Sequence, residues 1–218
     1  MHSGLTLGEQ VVLLALEEDS GTLREPMRAG FAVAAAPLLE LTLSGHVVVR
    51  DGKLVAAPLA PPAEPVAAAM AEQVQSRPDA SPQAWLLAVR EQAVSAAYAG
   101  LQGKGLVREE GRRVLGVFGS HRYPVQDPTV PEALRRELAA VVLEGQEPGE
   151  QTAALIALLH HAGLQAVALP DADTTAVEAR MADIAEGQGP ADKLGEAVRS
   201  ALRALIVLTA ASVPGMFN

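Results

Sequence analysis

The chain contains no cysteine. Disulfides and thiolate metal sites are thereby excluded, and a reducing compartment fits. Aromatic residues make up only 3 %, so the core must be built from Ala, Leu and Val. Small side chains of that kind let helices approach closely. Lysine is scarce, 3 against 14 arginines, and the net charge is −9. An acidic chain lacks the basic face that duplex DNA requires, so DNA is not expected as a partner. The preference for arginine, together with abundant alanine, reads as GC-rich coding of a bacterial kind. Long apolar runs are missing too. Segments 29–39 and 204–213 fall short of the ~20 residues a membrane span needs. Segment 151–170 has no Asp, Glu, Lys or Arg, but two His, two Gln and Gly163 interrupt it. The start of the chain shows no basic region before an apolar run, so no secretory signal is expected.

What is present is a chain of 218 residues, 49 % hydrophobic, enough for one large domain or two small ones. One stretch, 28–54, stands at its centre. From Ala29 to Leu39 it is apolar on nearly every face, as in a helix enclosed on all sides. Gly45 stops that helix. A short strand at 46–50 follows, and Asp51-Gly52 turns it into a second strand; Asp-Gly tolerates the positive φ of a two-residue hairpin turn.

The remaining elements follow from caps and breakers. Thr6 and Glu9 form a capping box opening a helix at 7–17. Pro37 should kink the central helix or divide it. A Pro-rich linker at 57–65 leads to a helix at 66–75. Ser81-Pro82 sets a cap and an N1 proline for a helix at 82–102. After Gly103-Lys104-Gly105 comes a second hairpin at 106–118, turning at Glu109-Glu110-Gly111. The polar segment 119–129 reads as a loop. Helices are expected at 131–143, 151–162, 177–186 and 191–211. The fold is thus mostly α with two small β-hairpins, 46–57 and 106–118.

Little in this pattern carries chemistry. There is no GxSxG, P-loop, HExxH, or GxGxxG after a strand; no enzyme, catalytic residue or cofactor is expected. His160 and His161 are adjacent, so on a helix they diverge by about 100° and chelate one ion poorly. They read as a helix end near its negative pole. Segment 170–175 lacks the Gly and Glu of a calcium loop and reads as a helix cap. No metal site is expected. Ser120-His121 has no orienting acid nearby in sequence. The helix–hairpin unit occurs twice, at 28–57 and 82–118, which makes a winged-helix regulator the alternative reading. Its recognition helix, 29–44, would then need outward Arg, Lys, Asn or Gln. Beyond Arg28 it has none.

Four segments together carry a resemblance. Residues 5–16 read LTLGEQVVLLAL and residues 37–47 read PLLELTLSGHV. Later come QGKGLV at 102–107 and LIALLHHA at 155–162. In this order and spacing they resemble the Golgi phosphoprotein 3 family, here as a bacterial homologue. The resemblance implies a single helical-bundle domain over 1–218 with a protruding hairpin. It further implies a non-enzymatic adaptor, peripheral at the membrane, that binds phosphatidylinositol 4-phosphate or another anionic lipid and the tails of membrane proteins. The expected location is cytoplasmic, including the inner face of the membrane. In the family a Trp and three Arg hold the head group through charge-assisted contacts. Those positions fall here on Glu25, Ala34, Glu91 and Val94. Arg90 is one residue from such a place, and Arg24 and Arg28 flank the Trp position. These three arginines are the head-group candidates.

Overall fold

The computed structural model describes residues 4–17, 20–51, 53–62, 65–77, 80–111 and 121–186. Helix α1, Leu7–Ala15, opens on the expected capping box. The Thr6 hydroxyl accepts from the Glu9 amide at 3.2 Å, and Glu9 Oε2 accepts from the Thr6 amide at 2.8 Å. Helix α2, Pro26–Leu43, is the centre of the fold. Every residue from Ala29 to Leu41 is buried except Pro37 and Glu40. Pro37 does not divide it. The helix runs on because Pro removes only one amide, and the neighbours packed around α2 hold its backbone in place.

Strands β1, Val47–Arg50, and β2, Lys53–Ala56, pair antiparallel with Arg50 opposite Lys53. Asp51 takes φ 50°, as the two-residue turn demands. Helix α3, Pro65–Gln75, follows the Pro-rich linker. Helix α4, Pro82–Gly103, starts at the expected cap, with the Ala84 amide donating to Ser81 Oγ at 3.2 Å.

The second hairpin departs from the expected one. Strand β3, Glu110–Gly111, pairs with β4, His121–Arg122, and Val107 bridges Val125. Glu110 and Gly111 therefore lie in a strand, and the return limb is the segment read as a polar loop. Backbone bonds explain it: the Arg108 amide donates to Pro124 O and the Tyr123 amide to Gly21 O. A polar strand at an edge needs only those partners, not an apolar face. The intervening residues 112–120 lie outside the described residues, as does the helix expected at 191–211.

Helices α5, Thr129–Val142, and α6, Glu150–Ala162, are joined by Thr152 Oγ1 donating to Glu137 at 2.5 Å. A short helix α7, Gln165–Ala168, went unforeseen because four residues carry no periodicity. Helix α8, Thr174–Glu186, is capped by Asp173, which accepts from the Ala176 amide. Around α2 pack α1, α3, α4 and α6, and α8 closes against α6. Each fully buried Leu or Phe in that core contributes roughly 1.5–3 kcal/mol. The winged-helix alternative fails on this arrangement. Its recognition helix is the enclosed centre of the core, so that helix has no free face to enter a groove of DNA.

Candidate functional site

At the start of α2 the chain leaves an open groove of about 590 Å³. The turn before α2 supplies Leu23, the first turns of α2 supply Pro26, Met27 and Gly30, and α4 supplies the longest wall. Arg90, Glu91, Val94, Ser95 and Tyr98 follow one another at helical spacing along that wall, and Tyr123 from the second hairpin closes it.

Each wall has a local cause. Gly30 lets the Arg90 stem lie against α2: a Cβ there would stand 3.4 Å from Arg90 Cδ. The stem leads the guanidinium over the buried Phe31 ring, 5.3 Å from its centroid, a cation–π contact on an apolar base. Among the described residues Arg90 makes no ion pair or hydrogen bond. Its charge is therefore held in place yet unmatched. Tyr98 and Tyr123 stack with centroids 3.9 Å apart. Burial, and then the neighbouring Tyr123, push the Tyr98 phenol up to about 12. Burial also raises Tyr123, followed by the charge of Glu109 and a hydrogen bond to it. Both phenols therefore stay neutral at ordinary pH.

Tyr123 is fixed by an unusual contact. Gly21 has φ +63°, and a Cβ on it would stand 2.5 Å from Pro124 N. Only glycine gives both that backbone angle and that approach.

The three candidate arginines are placed differently. Arg90 lines the groove; Arg24 and Arg28 do not. Arg28 donates to Gly163 O at 3.1 Å and lies 3.5 Å from Glu25. Its guanidinium thus sits at the C-terminal end of α6, where a cation meets the carbonyls left over by the helix. Arg24 is exposed, follows the groove residue Leu23 in sequence, and its amide donates to Ala15 O. Of the family's head-group positions, Glu91 and Val94 line the groove, Glu25 adjoins it in sequence, and Ala34 is buried in the core.

Sequence reasoning missed Leu23, Met27, Tyr98 and Tyr123. One signal was available: the chain has only two tyrosines, and both line this groove. It also missed the acid beside His121. Glu109 lies 2.6 Å from His121 Nδ1. Ser120 lies outside the described residues, and the pair is exposed. His160 and His161 sit in the last turn of α6, which Gly163 ends with φ 68°.

Among the described residues no helix is long and apolar enough to cross a membrane. No curated protein matches the chain. The family model for Golgi phosphoprotein 3 (GPP34) matches residues 7–205. That span takes in α1, the enclosed α2, both hairpins and every wall of the groove, and the chain belongs to the Golgi phosphoprotein 3 family.

Proposed function

We propose that the protein is a non-enzymatic peripheral membrane adaptor whose α2–α4 groove takes the phosphate of a lipid head group. The observation that carries this reading is the Arg90 guanidinium, fixed over Phe31 and unmatched among the described residues. Guanidinium is suited to phosphate because its planar fork donates two parallel hydrogen bonds. Leu23, Pro26 and Met27 give the same groove an apolar edge, where the glycerol end of a lipid can rest. Arg24 adds a diffuse positive charge nearby, whereas Arg28 is engaged at the end of α6. The net charge of −9 opposes approach to a strongly anionic surface, so the groove rather than the overall field must supply the affinity. A protein tail, the other ligand class of the family, has a separate surface available. A trough of about 580 Å³ runs between segment 56–62 and α3, with Leu59, Pro62 and Ala68 on its walls.

Co-sedimentation with vesicles tests the lipid reading. Uncharged galactolipid vesicles set the baseline, and phospholipid is added to them at low salt. Wild type is expected to sediment above baseline, and Arg90→Ala to fall back to it. Equal sedimentation of the two proteins would refute the assignment to Arg90.

A further inference from the structure

Arg90 has a neighbour of opposite sign on the same wall. Glu91 is exposed and lines the groove, and among the described residues it makes no ion pair. The two charges do not pair with each other. Adjacent residues on a helix point about 100° apart, so the groove presents a cation and an anion side by side and separated.

We infer that the head group taken here is zwitterionic, a phosphoethanolamine lipid, with its phosphate on Arg90 and its ammonium on Glu91. The inference rests on the lipid reading above. Phosphoethanolamine holds its two charges apart by a two-carbon spacer, and the wall carries one group of each sign. A phosphoinositide would instead bring a phosphomonoester of about −1.5 to −2 charge besides its diester. It would find one guanidinium in the groove, with the carboxylate of Glu91 on the same wall. Like charges at such range repel, and more strongly beside a protein surface than in bulk water.

The tyrosine stack favours the same ligand. Both phenols are neutral, so their rings offer negative π density and no net charge to an ammonium group. A primary ammonium is preferred over a quaternary one because Glu91 can accept its N–H hydrogen bonds. Met27, 40 % exposed, stands at the rim where the acyl-bearing end would emerge.

The experiment uses the full chain and galactolipid vesicles doped with one phospholipid at a time: phosphatidylethanolamine, phosphatidylcholine, phosphatidylglycerol or phosphatidylinositol 4-phosphate. Phosphatidylethanolamine is expected to bind best. Glu91→Gln should weaken that binding at least tenfold, as expected for loss of one charge-assisted contact, and should leave phosphatidylglycerol binding equal or stronger. Glu91 is exposed, so this variant keeps the fold, and an unchanged melting temperature verifies it. Binding of phosphatidylglycerol or phosphatidylinositol 4-phosphate with phosphatidylethanolamine at baseline overturns the zwitterion and leaves the lipid reading standing. Unchanged phosphatidylethanolamine binding by Glu91→Gln overturns the zwitterion as well. All four phospholipids at baseline overturn both readings.

Discussion

Replacing Gly100 by alanine should destabilise the protein, against the usual direction. Gly100 lies within α4, one turn before its end. In an ordinary helix interior the change gains about 1 kcal/mol from propensity. Here the new Cβ would overlap Glu9 Oε1. That carboxylate ends a flexible side chain, but it is pinned. Its two oxygens lie 2.5 and 2.6 Å from Lys104 Nζ, and Oε2 also accepts from the Thr6 amide. The Glu9 side chain is only 4 % exposed, so a displaced carboxylate has little water to turn to. Breaking a fully buried pair costs about 3–5 kcal/mol. Lys104 is 38 % exposed, which lowers the figure to roughly that of a charged hydrogen bond, about 1.5–3 kcal/mol. Subtracting the propensity gain leaves a net loss of about 0.5–2 kcal/mol.

Urea unfolding followed through Trp85, the single tryptophan and 1 % exposed, measures this as a lower midpoint at constant slope. The same substitution in a Glu9→Ala background meets no carboxylate. There it should stabilise by about 1 kcal/mol. The opposite signs give a coupling energy of about 1.5–3 kcal/mol between positions 9 and 100, within the range for residues in contact. Gly100→Ala stabilising the otherwise unaltered chain would refute the reasoning, because Glu9 would then be free to move aside.

Two further outcomes follow from the groove walls. Gly21→Ala combines a left-handed backbone, costing about 1–2 kcal/mol for an L-residue, with a clash against Pro124 backbone at 2.5 Å that no rotamer relieves; a melting temperature lowered by several degrees is expected, and no change would refute the clasp. Tyr98, whose phenol is raised to about 12 in the folded state, binds its proton more tightly folded than unfolded. Its contribution is therefore whole below about pH 10, declines as pH rises, and is gone once pH passes about 12; Tyr98→Phe should flatten the alkaline limb of a stability-versus-pH curve, and an unchanged limb would refute the burial argument.

The longer described helices were legible because each announces itself locally, whereas the four-residue α7 does not. Thr6 and Glu9 cap α1, Ser81-Pro82 opens α4, Asp51-Gly52 turns the first hairpin, and the unbroken apolar run after Arg28 marks the buried helix. The second hairpin was legible only in half. Its return limb, His121 to Val125, is held by backbone bonds to segments far away in sequence, and side-chain pattern does not record such bonds. The groove shows the same division. Arg90 could be named from the sequence as one of three arginines, but its separation from Arg28 could not. Arg28 is drawn to the carbonyl of Gly163, 135 positions later. Tyr123 joins the wall through Gly21, a contact no periodicity encodes.

The clasp between Gly21 and Tyr123 has a consequence for how a ligand would be felt. The groove is assembled from three stretches, at 23–30, 90–98 and 123, so no short fragment of the chain contains it. It exists only while the chain is folded, and whatever fills it binds the native state alone. Occupancy then feeds directly into stability as RT ln(1 + [L]/Kd), about 2.7 kcal/mol at a hundredfold excess over Kd. The protein is in this sense its own reporter: a rise in melting temperature with soluble head-group analogues would register binding without any membrane present.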